Sequence, residues 1–371
     1  MSTDRVLITY LLTLSAGESV EEKARTIASE QTVELPDGSY PKDVGERVVG
    51  RVEELSQLSG TLWRVTISYW PGLIESAVPQ LLNVLFGNIS MLQGIVVSDV
   101  ELPDELLSTY PGPRFGVAGL REACDAVNRP LLCSAAKPVG LSVEQLAVRC
   151  GALARGGVDV VKDDHGVMGQ AVAPFRERVQ RCQQAVLDAN EDTGGRTLYF
   201  PNVTAPAPQL EERITAARSA GCRGVLVSPF LLGLDTLRQL AESSGIILLV
   251  HPTFSGGLFQ VGHGFTPALL FGRLLRLLGA DGVIYVNAGG RFPVTAADCA
   301  EINRRLLEPL GKLRPAMPVA GGGVDVESVG EWIDRYGTEL MFLIGSSLYA
   351  QPDLETATRT LVQALERHAR G

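Results

Sequence analysis

No cysteine stands in a CxxC pair. The six cysteines, Cys124, Cys133, Cys150, Cys182, Cys222 and Cys299, are scattered along the chain, which reads as reduced, mostly buried thiols in a cytoplasmic protein. No stretch reaches the roughly 18 uninterrupted apolar residues of a membrane span. The first residues, Met1-Ser-Thr-Asp-Arg, lack a basic segment followed by an apolar one, so no secretory signal is expected. Positive charge is in short supply. Lys and Arg number 33 against 42 Asp and Glu, a net charge of −9, which excludes a general nucleic-acid binder because phosphate backbones need a basic face. A small anionic substrate held by backbone amides remains compatible with that balance. Only four histidines occur, His165, His251, His263 and His368, so their positions carry weight.

The 371 residues fit two domains, one of them a barrel of roughly 250 residues. Arg5–Leu14 is apolar and β-branched, and Ser19 opens a helix-like segment over Val20–Ser29. Arg51–Glu54 and Leu62–Tyr69 read as strands and Ile74–Phe86 as a helix packed on them, a small α+β domain. Tyr110-Pro-Gly-Pro-Arg114 punctuates the chain, and we place the division at residues 1–115 and 116–371.

After Arg129 short apolar runs alternate with amphipathic helical segments. The runs are Leu131–Ala136, Val158–Lys162, Leu198–Val203, Gly224–Ser228, Ile246–His251, Gly282–Asn287, Pro318–Gly321 and Leu340–Gly345. Buried parallel strands read as continuous apolar runs, and eight such units close a (β/α)₈ TIM barrel. An open doubly wound sheet gives the same local pattern, so the count decides. No GxGxxG follows the first run, which weakens a dinucleotide-binding alternative.

Barrel chemistry sits where strands end. The first run ends in Lys137-Pro138 and the second in Lys162-Asp163-Asp164-His165. The third ends in Pro201-Asn202, the fifth in His251-Pro252, and the sixth in Asn287-Ala288-Gly289-Gly290-Arg291. The seventh ends in Gly321-Gly322-Gly323 and the eighth in Gly345-Ser346. Strand alternation lets Lys162 and Asp164 share a face while Asp163 points away. A carboxylate there suits Mg²⁺, and a CO₂-derived carbamate would turn Lys162 into another oxygen donor. The plainer alternative is an ion pair between Lys162 and Asp164 at the rim. The glycines of the last two strands suit a phosphate, although tight turns alone would also use glycine. His251 should face the barrel mouth and could move protons. His263 lies in a glycine-rich loop that could act as a lid or touch substrate. His368 belongs to the terminal helix and is expected to be exposed.

Together these residues resemble the RuBisCO superfamily. Gly156-Gly157-Val158-Asp159-Val160-Val161-Lys162-Asp163-Asp164 is similar to the signature bearing that family's carbamylated lysine and metal-binding acids. Arg129-Pro130-Leu131-Leu132, leading to Lys137-Pro138, resembles the segment whose lysine handles the enolisation proton. Glu30 and Asn88 resemble residues of the ferredoxin-like N-terminal domain that reach a partner subunit's barrel. Nearly the whole chain follows the family in order.

Four departures exclude a working carboxylase. The segment after Lys137-Pro138 is one residue short and reads Val139-Gly140, without the family's second lysine. The loop Ala288–Phe292 lacks the lysine-bearing lid. His165 stands for the third metal-ligating glutamate, and Gly321 for a serine. This is the pattern of RuBisCO-like proteins, and a Lys-Asp-Asp-His-Gly run resembles their proteobacterial members.

The resemblance implies Mg²⁺-dependent enolisation or isomerisation of a phosphorylated ketose such as a 5-methylthioribulose 1-phosphate-like sugar. Lys137, Lys162, His165 and His251 are the expected catalytic residues. Lys162 as a carbamate, Asp164 and His165 are the expected metal ligands, with His165 alternatively a proton carrier. Glu30, Asn88, Asn287, Gly289, Gly290, Gly321, Gly322, Gly323, Gly345 and Ser346 are expected at the substrate and its phosphate. A homodimer with shared sites follows from Glu30 and Asn88, higher oligomers being left open. A carboxy-lyase acting on an oxo-sugar-acid phosphate and a catalytically silent phosphate-ligand binder are the competing functions.

Overall fold

The computed structural model describes residues 4–290, 292 and 294–369. These form two compact units. One comprises the described residues up to Tyr110 together with Phe254–Leu270, and the other Pro111–Thr253 with the chain from Phe271 onward. The chain therefore passes from the first unit to the second at the Tyr110-Pro111 punctuation, a few residues before 116. It also returns to the first unit for 17 residues, an excursion the linear division at 115/116 does not contain.

The first unit is built on strands β1 (Val6–Thr13), β2 (Arg51–Ser59), β3 (Leu62–Tyr69) and β4 (Ile95–Glu101). They lie in the order β4-β1-β3-β2, every neighbour antiparallel, with helices Val20–Glu30 and Val78–Phe86 between them in sequence. This is the expected ferredoxin-like arrangement. Val6, Ile8, Tyr10 and Leu12 of β1 alternate into the core, and Ala24 and Ile27 of one helix and Leu81 and Leu85 of the other are buried as well. The second helix begins at Val78, not at Ile74: Glu75 adopts φ 49°, which a right-handed helix cannot continue through. The excursion supplies β10 (Phe259–Gln260) and β11 (His263–Phe265), with β11 parallel to β4.

The second unit is the barrel. Its strands are β5 (Leu131–Ala136), β6 (Val160–Asp163), β7 (Leu198–Phe200), β8 (Gly224–Val227), β9 (Ile247–Val250), β12 (Gly282–Val286), β13 (Met317–Gly321) and β14 (Met341–Leu343). All eight coincide with the expected runs and pair in parallel, in the order β7-β6-β5-β14-β13-β12-β9-β8. A parallel bridge from Asn202 to Leu226 joins the two ends and closes the ring. Inside, Leu131, Cys133, Val160, Phe200, Leu226, Leu249, Ile284, Val319 and Met341 form one core with Val117 and Leu120 of helix Gly116–Cys124. Asp281 ties that helix to the barrel by accepting from the Phe115 and Gly116 amides (2.6 and 2.8 Å) and from Leu248 N (2.9 Å).

Candidate active site

The core fixes which rim residues look inward. Side chains two apart along a strand share a face, so the row through Cys133 continues to Lys137 and the row through Val160 to Lys162 and Asp164. The rows through Phe200, Leu226, Leu249, Val319 and Met341 continue to Asn202, Ser228, His251, Gly321 and Gly345. Parallel register pairs Ala135 with Lys162, which sets Lys137 beside Asp164. The Lys137 ammonium indeed forms an ion pair with Asp164 Oδ2. The partner of Asp164 is thus Lys137, and the alternative pairing with Lys162 is not what forms.

Lys162 is buried, and its Nζ donates to the Asp163 main-chain carbonyl (3.0 Å). Burial holds its pKa below the ordinary lysine range, favouring the neutral amine that reacts with CO₂. Asp164 is also buried. Burial disfavours its charge, but Lys137, the Gly166 amide (2.9 Å) and His165 outweigh that, and the carboxyl stays below its usual range. His165 Nδ1 lies 3.4 Å from Asp164 Oδ1, and its ring stacks on His251 at 4.4 Å between centroids and 11° between planes. The Thr253 amide donates to His251 Nδ1 (3.2 Å), and Thr253 Oγ1 lies 2.6 Å from the same atom. A main-chain N–H can only donate, so Nδ1 accepts and the neutral ring carries its proton on Nε2. Burial first, then the neighbouring Lys162 amine and His165, lower the His251 pKa to about 2. In this arrangement Nε2 is the ring nitrogen of His251 that can donate a hydrogen bond.

Asp163 faces out of the barrel, and its carboxylate is taken up on three sides. It accepts from Tyr199 OH (2.7 Å), Asn202 N (2.9 Å) and Arg178 Nε (3.1 Å), with Arg178 fully buried. Arg178 also donates to the Ala173 and Met168 carbonyls (2.8 and 3.3 Å) of the loop after β6, and Asn202 Nδ2 holds the His165 carbonyl (2.9 Å). Removing one partner of a buried pair leaves an uncompensated charge. Arg178→Ala is expected to destabilise the protein by about 3–5 kcal/mol, read from denaturant unfolding. A loss below about 1 kcal/mol would contradict the role assigned to this pair.

The glycine groups after β12 and β13 meet backbone to backbone. A Cβ on Gly323 would stand 2.9 Å from both Gly290 N and Ala288 O, and Gly322 and Gly323 have φ of 87° and 69°, so only glycine fits comfortably. Gly289, Gly322, Gly323 and Ser346 are exposed. Gly345 lies beside the Lys137 stem, its Cβ position 3.9 Å from Lys137 Cε. Asn287 is different: it is fully buried, donates to Gly322 O (3.2 Å) and accepts from Tyr336 OH (3.0 Å). Its amide supports the loop from behind. Arg291 lies outside the described residues.

In the first unit Glu30 ends helix Val20–Glu30 and Asn88 opens the turn Asn88–Met91. Buried Gln31 gathers these segments, donating to Asn83 O and Val84 O (2.7 and 2.8 Å) and accepting from Ile89 N (3.5 Å). His263 sits in β11 with its ring 5.3 Å from Phe86, part of a sheet rather than a free loop. His368 pairs with Asp334 (2.8 Å) on the surface. Sequence reasoning missed Gln31, Arg178, Tyr199, Ser228 and Thr253. The inward row Gly224-Leu226-Ser228 would have flagged Ser228, whose buried hydroxyl has no hydrogen-bond partner among the described residues. For the others the links join distant segments, and no local pattern announces them.

Among the described residues no three His, Cys, Asp or Glu side chains group to hold a metal. Lys162, Asp164 and His165 are the set to test. Asp164 already faces a cation, the Lys137 ammonium, and a carbamate on Lys162 would bring a second oxygen donor next to it. Two oxygen-bearing groups and one imidazole fit a divalent cation. No helix among the described residues is long and apolar enough to cross a membrane.

A closed parallel barrel with lysine, carboxylate and imidazole on its inner rim belongs to the α/β-barrel enzymes, and comparison with known proteins narrows the class. Residues 116–371 match the family model "Ribulose bisphosphate carboxylase large chain, catalytic domain". The chain belongs to that family, and within it is a RuBisCO-like enzyme. It is 37% identical over 354 residues to the 5-methylthioribulose-1-phosphate isomerase of Rhodospirillum rubrum, covering 95% of this chain and 93% of the relative. A 2,3-diketo-5-methylthiopentyl-1-phosphate enolase of Geobacillus thermodenitrificans is 33% identical, over 95% of this chain and 89% of its own. Among solved structures, a RuBisCO-like protein from Rhodopseudomonas palustris superposes with a TM-score of 0.90 at 36% identity, covering 98% of each chain.

Proposed function

We propose that the protein isomerises a phosphorylated ketose of the 5-methylthioribulose 1-phosphate type through an enediolate, in a site at the barrel mouth. The observation that carries this reading is the cluster of Lys137, Lys162, Asp164 and His165 at the ends of the neighbouring strands β5 and β6, with His251 at the end of β9 stacked on His165. Lys162 as a carbamate, Asp164 and His165 would hold Mg²⁺, which when bound supplies Lewis-acid polarisation of the substrate carbonyl. Lys137, acting as the free amine once its ammonium has given up a proton, or the Lys162 carbamate removes the α-proton, the C–H electrons moving toward the carbonyl oxygen. His251 donates from Nε2 to the oxygen where negative charge grows. Return of the α-proton to the former carbonyl carbon, with the neighbouring hydroxyl giving up its proton while the first oxygen gains one, shifts the carbonyl by one carbon and completes the isomerisation. The exposed Gly322 and Gly323 after β13, with Gly345 and the exposed Ser346 after β14, receive the phosphate through backbone N–H groups. An enolase acting on a diketo phosphate shares the first step, and the similarity to such an enzyme supports it as the second reading.

Glu30 and Asn88 carry the proposal to a two-fold dimer whose sites are completed by the partner. Glu30→Ala and Lys162→Ala proteins should each be inactive on the ketose phosphate. Co-expressed, they should recover about a quarter of wild-type activity, because half the dimers are hybrids with one intact site of two. Hybrids that form and stay inactive would overturn the shared site. With Val139-Gly140 in place of a second lysine and a short loop after β12, no labelled bicarbonate should enter 3-phosphoglycerate from ribulose 1,5-bisphosphate. Label above a heat-killed control would contradict this.

A further inference from the structure

We propose that Trp332 and Tyr336, on one helix behind the barrel rim, are positioning residues that fix the glycine loops after β12 and β13 in the shape that receives the substrate phosphate. This rests on the phosphate reading above and deepens it. Glycine loops have little conformational preference of their own, so a site made of them needs an outside support to be preorganised. Helix Val329–Tyr336 provides one. It is anchored by buried Val329 and Ile333, and two of its side chains reach the loops. Trp332 Nε1 donates to the Gly323 carbonyl (3.0 Å), and its ring lies 3.3 Å from where a Cβ on Gly289 would stand. Tyr336 OH donates to Asn287 Oδ1 (3.0 Å), and Asn287 Nδ2 passes the link to the Gly322 carbonyl (3.2 Å). One helix thus holds the carbonyl of each of two successive left-handed glycines, and covers the facing loop with an indole. The two rings stack on each other at 5.3 Å, one helical turn apart, so the supports act as a unit. With both carbonyls turned back toward the helix, the exposed side of the loop is left for an incoming anion.

The test is calorimetric titration of inorganic phosphate into the full-length wild type, Trp332→Phe, Tyr336→Phe, the double variant and Gly323→Ala. Each single ring variant keeps an aromatic ring on the helix and loses the hydrogen bond that supports the loop, which should weaken phosphate binding about fivefold. The double variant should lose more, and KM for the ketose phosphate should rise in the same ratios, with far smaller changes in kcat. Wild type that binds no phosphate, or Gly323→Ala that binds it undiminished, would overturn the phosphate reading and this proposal together. Gly323→Ala that loses phosphate while the ring variants bind it like wild type would overturn the positioning role alone. So would ring variants in which kcat falls as much as KM rises and the unfolding midpoint drops, since that is loss of ordinary packing.

Discussion

Lys162→Ala is expected to lower turnover of the ketose phosphate by about 10³-fold or more, the scale set by loss of a group that stabilises developing negative charge. The same substitution should erase any response to bicarbonate and Mg²⁺. The physical case begins with burial. The Lys162 side chain is buried on the inward row of β6, and its pKa is held down by desolvation. A neutral amine in that setting adds to CO₂, forming an N–C bond and losing a proton, so activation should quicken as pH rises through the depressed pKa. It should level off at lower pH than an ordinary lysine would require. The competing account, an ion pair of Lys162 with Asp164, predicts no bicarbonate effect, and Asp164 is already engaged by Lys137. His165→Glu should tighten Mg²⁺ by replacing a nitrogen donor with a hard oxygen. Wild-type activity indifferent to bicarbonate would remove the carbamate from the account.

Lys137→Ala should slow removal of the substrate's α-proton by about 10²-fold or more, as loss of a general base does, while leaving the bicarbonate response in place. The backbone there does not depend on the side chain. Tyr349 OH accepts from Lys137 N (3.2 Å) and donates to Ala135 O (2.9 Å), so the end of β5 should keep its course in the variant. The amine itself is partly exposed at the inner rim, with one carboxylate holding it, a position from which it can reach a substrate carbon. A variant exchanging the α-proton as fast as wild type would remove Lys137 from that role.

Much of the barrel was legible because strands buried on both faces read as unbroken apolar runs, and the polar residue closing each run marks the rim. Of the chain's five lysines, the two that end such runs are the two that meet at the site. Legibility stopped where register and distance decide. That Asp164 pairs with Lys137 follows from β5 lying beside β6, which no local pattern states. Strand β4 escaped notice because the bulge at Thr9/Tyr10 breaks its pairing, so Val97 and Val100 are buried and the two-residue alternation fails. Strand β11 is three residues long and rich in glycine. Its pairing with β4 joins segments more than 160 residues apart, and His263 therefore read as part of a loop. Asn287 could have been assigned correctly from strand parity alone, since Ile284 and Val286 set the inward face.

The most direct measurement is solvent-deuterium exchange into 5-methylthioribulose 1-phosphate, followed by NMR with wild-type protein supplied with Mg²⁺ and bicarbonate. The account predicts deuterium at the carbon next to the carbonyl, appearing together with an isomeric ketose phosphate, and neither product with Lys162→Ala. Ketose phosphate that binds wild type yet keeps its protium at that carbon would contradict it.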